Sequence, residues 1–274
     1  TKTEVDSAIS AVNTLDGDLT GSVFGDDSTL LVDGVNNKIV GAVDTTSLRT
    51  SETKIALGNS AGETTQGGSA VAVGNLAGQT TQGASAVAIG SAAGYTGQGG
   101  SAVAVGYTAG LTTQGANAIA VGYSAGNTTQ GVEAVAIGRL AGTTAQGNNA
   151  VAVGPYAGQT TQGGSAVAVG RLAGDTSQGA SAVAVGENAG RTSQGNAALA
   201  IGPDAGSVTQ GANAVAIGNT AGNDDQGTSA VAIGNDAGNT NQATWAVAVG
   251  KEAGQTSQGG YAVAIGPAAG NATQ

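Results

Sequence analysis

Ser69–Gly83 reads SAVAVGNLAGQTTQG, and the chain repeats this pattern every sixteen residues. Fourteen copies run from Ile55 to Gln274, and the first glycine of each copy recurs from Gly58 to Gly266 without an insertion or deletion. A short period kept without gaps is typical of a solenoid, in which each copy forms one coil that stacks on the previous coil. The repeat therefore predicts the architecture of most of the chain.

Each copy contains the signals for two short strands and two corners. Val71 and Val73 alternate with alanines, which is typical of a strand, and Gly74 ends it. Residues 75–78 indicate a turn, residues 79–82 a second extended run, and the next glycine a second turn. The sequence thus predicts an all-β, parallel β-roll. With a coil spacing of ~4.8 Å, the copies would form a rod of roughly 65 Å.

Residues sixteen apart should lie above one another, so each position of the repeat forms a column. The columns of Val71 and Val73 contain only Val, Ile or Leu, and we predict that they form the core. The column of Ala72 contains only alanine, and alternation would point it outward. An invariant small residue on an outer face suggests close packing against another copy of the chain. The predicted interface of a homotrimer comprises Ala72, Ala88, Ala104, Ala120, Ala136, Ala152, Ala168 and Ala184.

A glutamine column runs from Gln66 to Gln274 without exception. It could form a flat recognition face or a ladder in which each amide hydrogen-bonds to its neighbours above and below. We favour the ladder, because a buried ladder cannot skip a position without leaving an amide unsatisfied. The predicted ladder includes Gln82, Gln114, Gln130, Gln162 and Gln194.

The composition argues against most chemistry. Cys, Met and His are absent, so we predict no metal site, no cofactor and no thiol or imidazole catalysis. The net charge is −10 without a basic patch, and no apolar run approaches ~20 residues, so we expect neither nucleic-acid binding nor membrane insertion. Asp236 and Glu252 share a column, which could be a carboxylate pair, but a solvated charged edge is the favoured interpretation. We predict that the chain is not an enzyme.

Two other columns suggest contacts with a surface. Trp245 and Tyr261 share a column on adjacent coils, as do Tyr107 and Tyr123. These aromatic residues could contact glycan, or they could stack on one another and stabilise neighbouring coils. The column of Thr80 is mostly threonine, which permits ice binding as a further alternative to simple strand propensity.

The first part of the chain departs from the repeat. Residues 1–19 carry a weak heptad pattern that could form a short coiled-coil end or a frayed helix. Residues 20–54 alternate apolar and polar residues around Gly25-Asp26-Asp27 and Asn36-Asn37, which predicts a small β region built of hairpins. Residues 55–274 form the predicted roll. We expect the natural protein to extend beyond both ends of this chain.

Two stretches resemble known families. The motif S-A-V-A-(V/I)-G-x-x-A, as at Ser69–Ala77 and Ser85–Ala93, resembles the N-S-V-A-I-G-x-x-S repeat of trimeric autotransporter adhesin heads, although the unit here is longer and its second half differs. That resemblance implies a parallel β-roll assembled as a trimer. The string GDLTGSVFGDDSTLLVDGVNNKIVG at Gly17–Gly41 resembles a module of tail-fibre and structural proteins of contractile-tailed marine phages, especially cyanophages. It implies a trimeric fibre that attaches to a host.

Together these resemblances lead us to expect a structural segment of a homotrimeric phage tail fibre. Such a segment would be extracellular and part of the virion, a rigid spacer with other fibre or virion proteins at both ends and host surface glycan as a further partner. The alternative is the head of a trimeric bacterial surface adhesin, which is a binding module. Ice binding is a third hypothesis.

Overall fold

The computed structural model describes residues 23–24, 30–33, 38–39 and 54–272. The chain divides into two compact units, Thr1–Ser51 and Glu52–Gln274, which are described separately. The coiled-coil end predicted for residues 1–19 lies outside the described residues.

The first unit contains a three-stranded antiparallel sheet. Its strands are β1 (Val23–Phe24), β2 (Leu30–Asp33) and β3 (Lys38–Ile39), in that order across the sheet. Val32 on β2 lies opposite Val23 on one side and Ile39 on the other. The strands flank the two predicted turn sequences, so the hairpin pattern accounts for this sheet.

The second unit is a parallel β-roll of two stacked ladders of short strands, and no helix occurs in residues 54–272. The first sheet has fourteen strands: β4 (Ile55–Leu57), β6 (Val71–Val73), β8 (Val87–Ile89), β10 (Val103–Val105), β12 (Ile119–Val121), β14 (Val135–Ile137), β16 (Val151–Val153), β18 (Val167–Val169), β20 (Val183–Val185), β22 (Leu199–Ile201), β24 (Val215–Ile217), β26 (Val231–Ile233), β28 (Val247–Val249) and β30 (Val263–Ile265).

The second sheet is narrower and has thirteen strands. They are β5 (Thr65–Gln66), β7 (Thr81–Gln82), β9 (Gly97–Gln98), β11 (Thr113–Gln114), β13 (Thr129–Gln130), β15 (Ala145–Gln146), β17 (Thr161–Gln162), β19 (Ser177–Gln178), β21 (Ser193–Gln194), β23 (Thr209–Gln210), β25 (Asp224–Gln226), β27 (Thr240–Gln242) and β29 (Thr256–Gln258). In both sheets the residues that pair lie sixteen apart in the sequence, as Ala104 and Ala120 do. The predicted all-β roll is therefore confirmed.

The prediction of which strand face points inward is wrong. Ala72 and its equivalents as far as Ala264 are fully buried inside the roll, so the alanine column, Ala72, Ala88, Ala104, Ala120, Ala136, Ala152, Ala168 and Ala184 included, is not an outer interface. Val71 and Val73 point outward and are half-buried. The smaller of the two alternating residues faces inward because the interior has little room, and the larger aliphatic residue faces outward.

The interior of the roll has room for alanine but not for larger aliphatic side chains, since every buried hydrophobic residue of the roll is alanine. Each coil between the first and the last sends Ala70, Ala72, Ala77 and Gln82, or their equivalents, into the core, and these side chains are buried. The glutamine is the largest fully buried side chain of a coil, and it spans the gap between the sheets. A valine at the position of Ala72 would overpack this space. The invariance of alanine thus records close approach within one chain rather than between chains.

Three glycines per coil lie where an added Cβ would come too close to another atom, and the neighbouring atom differs at each position. A Cβ on Gly74, which has a φ of +131°, would lie 2.6 Å from the carbonyl oxygen of Gly90 in the next coil. A Cβ on Gly78 would lie 2.8 Å from Oε1 of the buried Gln82, and on Gly83 it would lie 2.4 Å from the backbone nitrogen of Gly100. Real Cβ atoms do not approach other atoms so closely, so an added Cβ would force its neighbours to shift. The columns of Gly74 and Gly78 accordingly contain only glycine, whereas the column of Gly83 contains one alanine, Ala243.

The second sheet changes its backbone in the last coils. Asp225, Asn241 and Ser257 have φ values of 54°, 52° and 50°, whereas the equivalent Thr209 is not left-handed. Asp and Asn enter this region at lower cost than threonine, which occupies the column in many earlier coils. The amino acids present at these two coils therefore fit the altered backbone.

We expect Gly170→Ala to destabilise the roll by about 3 kcal/mol or more, because its φ of +131° is strained for alanine and its Cβ would lie 2.5 Å from the Gly186 carbonyl oxygen. Gly164→Ala is the matched control, because a Cβ there meets its nearest atom at 3.6 Å and the column accepts alanine in other coils. Thermal and denaturant unfolding of both variants would measure the difference. Equal stability of the two variants would contradict this account of the glycine column.

Candidate functional site

The most extensive surface feature is an apolar face on the wide sheet. The outward side chains of β4 through β30, in the columns of Val71 and Val73, are all Val, Ile or Leu, and we call this surface the aliphatic face. Its members are half-buried or exposed in the single chain, and Ile137 is 40% exposed. No charged residue occurs in either column. The face is therefore a continuous apolar stripe whose binding chemistry is hydrophobic packing.

The size of the aliphatic face exceeds what an isolated soluble chain usually leaves bare. A strip of roughly 65 Å by about 10 Å has an area of roughly 650 Å², estimated from strand and coil spacings. Contiguous apolar patches above a few hundred Å² mark interaction sites. The regular pairing of the strands also makes the strip repeat coil by coil, as in the alignment of Val103 with Ile119.

Behind this face, the glutamine column forms an amide ladder. Gln162 Nε2 donates to the Val151 carbonyl oxygen at 2.8 Å and also lies 3.3 Å from the Ala166 carbonyl oxygen. It further donates to Oε1 of Gln178, one coil on, at 3.1 Å. The side chain therefore joins the two sheets within a coil and also joins one coil to the next.

The chain of amide-to-amide bonds runs through ten glutamines, from Gln114 to Gln258. It includes Gln114, Gln130, Gln162 and Gln194 of the predicted set. Gln82 is equally buried and donates to the carbonyl oxygens of Val71 and Ala86, but no amide-to-amide bond joins it to Gln98. The Oε1 atoms of Gln82, Gln98 and Gln114 have no hydrogen-bond partner. The ladder is thus weaker at its first coils.

The two aromatic columns lie at opposite corners of the coil and differ in geometry. Tyr107 and Tyr123 stack, with ring centroids 5.3 Å apart and an interplanar angle of 19°, so the stacking interpretation fits them. Trp245 and Tyr261 have φ values of +65° and +63°, which are uncommon for bulky residues. They are 53% and 78% exposed, and among the described residues neither ring contacts another. At least half of each side chain is therefore accessible to solvent.

The acidic residues singled out from the sequence lie at a polar corner. Asp236 accepts hydrogen bonds from the Thr220 hydroxyl and, at 2.9 Å, from Asn235 Nδ2. Glu252 pairs with Lys251 at 3.1 Å. These contacts are those of a charged edge. Within residues 54–272, His, Cys, Asp and Glu form no group of three or more that could hold a metal ion.

Asp175 is an acidic residue whose side chain is partly buried and incompletely hydrogen-bonded. Its Oδ1 is buried without a hydrogen-bond partner, and burial raises the pKa of the carboxyl while the nearby Arg191 charge partly lowers it. Other coils place asparagine in this column. Asn127 and Asn239 donate from Nδ2 to the carbonyl oxygen nineteen residues earlier, at 3.0 Å in both cases. An amide satisfies this site better than a carboxylate does.

We expect Asp175→Asn to raise the stability of the roll by about 1 kcal/mol at neutral pH, because the new amide can donate to the Tyr156 carbonyl oxygen. Folding raises the pKa of Asp175, so the wild-type roll gains stability as the pH falls through that pKa and the carboxyl is protonated. The advantage of the variant should therefore shrink in acid. Thermal unfolding of both proteins at pH values from about 7 down to about 4 measures it. An advantage that stays constant with pH would contradict this assignment.

We expect Gln162→Met to destabilise the roll by about 2–3 kcal/mol, since it keeps the length of the side chain but removes an acceptor from Gln146 and a donor from Gln178. The control is Thr161→Ala on the same strand, whose side chain is exposed and which should change stability by less than about 0.5 kcal/mol. Denaturant unfolding compares the two. A methionine variant as stable as the wild type would show that the ladder contributes packing alone.

Comparison of the chain with protein-family models, with curated proteins and with solved structures finds no match. No helix among the described residues is both long and apolar enough to cross a membrane.

Proposed function

We propose that the roll is the shaft segment of a homotrimeric fibre, in which three chains pack their aliphatic faces together along a common axis. The observation that carries this proposal is that two uninterrupted columns of Val, Ile and Leu point outward from one sheet, where they are half-buried or exposed. Water contact along such a strip is unfavourable, and burying it would gain roughly 25 cal/mol for each Å² of apolar area.

A second copy of the chain is the partner that fits this face best. The side chains of the face recur with every coil, so an identical roll supplies a surface with the same rise and matches it coil for coil. A partner without this period would match at only a few coils. The estimated area of roughly 650 Å² per chain approaches the ~800 Å² per partner of a stable interface. Two columns per face also allow each chain to contact two neighbours.

The interior supports a mechanical role. Backbone hydrogen bonds link every described coil to the next at the corners as well as in the strands, as between Gly142 N and Ala157 O at 2.9 Å. The amide ladder adds bonds along the same axis. The repeats lack long loops, which are the usual sites of proteolytic cleavage. A rod of this kind resists bending and proteases, as a spacer outside the cell must.

The biological setting of the proposal rests on the two sequence resemblances. Gly17–Gly41 favours a tail fibre of a contractile-tailed phage, with the chain in the virion and other fibre proteins at its ends. The motif at Ser69–Ala77 also fits the alternative, the head of a trimeric bacterial adhesin. The genes beside this one distinguish them, because tail genes support the fibre and a membrane-anchor barrel encoded in the same gene supports the adhesin.

We expect the full chain to have a mass three times 25.6 kDa by light scattering coupled to size exclusion. The double variant Val169→Glu/Val185→Glu places two charges on the aliphatic face and should yield monomers, because a buried unpaired carboxylate is costly. The matched control Ser177→Glu/Ser193→Glu adds the same charge to exposed positions of the other sheet and should remain trimeric.

A monomeric wild-type chain would overturn the proposal. It would leave the aliphatic face bare and make ice binding the next hypothesis, which thermal hysteresis measures directly. A trimer that tolerates the glutamates on Val169 and Val185 would keep the oligomer but remove the aliphatic face as its interface.

A further inference from the structure

One corner of the roll carries a row of large side chains that the fold does not require. Tyr107, Tyr123, Arg139 and Tyr156 follow one another on four successive coils, and we call them the corner row. Tyr107, Tyr123 and Arg139 share one column, and Tyr156 lies in the next column. In the two preceding coils the first column contains the smaller polar residues Asn75 and Ser91. Nothing in the core or the ladders depends on aromatic rings at this corner.

The backbone under the corner row is fixed by hydrogen bonds. Tyr107 accepts a hydrogen bond at its carbonyl oxygen from Ser124 N, Tyr123 from Leu140 N and Arg139 from Tyr156 N, each at 2.9 Å. These bonds hold the side chains at the coil spacing. A ligand that binds along the row therefore meets a surface that is already ordered, which lowers the entropic cost of binding.

The side chains of the row are arranged by contacts with one another. Tyr107 and Tyr123 stack at a centroid distance of 5.3 Å, and both are about half exposed. The Arg139 guanidinium carbon lies 5.0 Å from the centroid of the Tyr156 ring, a cation–π contact. The hydroxyls of Thr108 and Ser124 lie beside the tyrosines and hydrogen-bond to each other at 2.7 Å.

Arg139, unlike Arg171 and Lys251, has no carboxylate partner among the described residues. Arg171 forms an ion pair with Glu187, and Lys251 forms one with Glu252. Arg139 makes no ion pair among the described residues, although the chain carries a net charge of −10. A guanidinium has a planar set of donors that fits a carboxylate with two parallel hydrogen bonds. Arg139 is exposed, and its donors form no ion pair within the part of the chain that the structure describes.

We propose that the corner row binds an acidic polysaccharide, a chain of pyranose sugars that carry carboxylates. The exposed parts of the Tyr107 and Tyr123 rings pack against the apolar C–H surfaces of the sugars, and Arg139 pairs with a sugar carboxylate. The rise of the coils, ~4.8 Å, allows successive sugars of an extended chain to meet successive coils. This binding does not depend on the trimer proposed above.

Electrophoresis in native gels that contain polygalacturonate tests the proposal on the full chain. An anionic protein has no general attraction for a polyanion, so retardation would report a specific site. We expect the wild type to be retarded by polygalacturonate and not by neutral dextran, and the retardation to weaken as salt increases. Arg139→Gln, and separately Tyr107→Ser/Tyr123→Ser, should weaken apparent affinity by about tenfold or more.

Arg171→Gln is the matched control, because Arg171 lies in the same column as Arg139, two coils further on, but is already paired. It should bind as the wild type does. The proposal is overturned by no retardation, by equal retardation in dextran, by retardation in dextran sulfate alone, or by equal losses in Arg139→Gln and Arg171→Gln. Light scattering on the same variants reports the oligomer separately, so a failed glycan site and a failed trimer are distinguishable.

Discussion

A glutamine side chain that crosses a thin core is the interaction on which the rest of the roll depends. Its amide bonds to carbonyl oxygens on the opposite sheet and, over most of the roll, to the amide of the next coil. The length of this side chain helps set the separation of the sheets, and that separation leaves room for alanine at the other inward positions. It also demands glycine at the column of Gly78, where the amide oxygen lies against the backbone.

The interior consequently contains glutamine amides and alanine methyl groups. The larger apolar side chains of each coil, Val, Ile and Leu, lie on the outer surface. This reverses the usual arrangement, in which aliphatic residues fill the core. The valines keep their strand-forming character, because β-branched side chains suit a pleated surface whichever way they point. The cost is an apolar face that a single chain does not cover. The features that stabilise one coil and the features proposed to join three chains thus occupy the two sides of the same strands.

The repeat made much of this fold predictable. The position of Gly74, the alternation at Val71 and Val73 and the turn at the second glycine define strands and corners that the structure reproduces. Hydrophobicity alone did not predict which strand face points into the core, because the alternating pattern distinguishes two faces but both are apolar. A size argument would have assigned the core to Ala72, since the columns of Ala70 and Ala77 are alanine too. Pairs such as Arg139 with Tyr156 join different columns of adjacent coils and were missed for that reason.

The pairing of residues that lie sixteen apart also limits how the length of the roll can change. A chain that gains or loses one whole unit keeps every glycine, alanine and glutamine in its own column, so the remaining coils need no adjustment. A gain or loss of any other number of residues that does not loop out at a corner puts the wrong side chain into every ladder beyond it. The length of the roll can therefore change only in increments of one coil, about 4.8 Å each. The number of repeat units therefore sets the length of the roll, and the side chains at the corners can vary without changing that length.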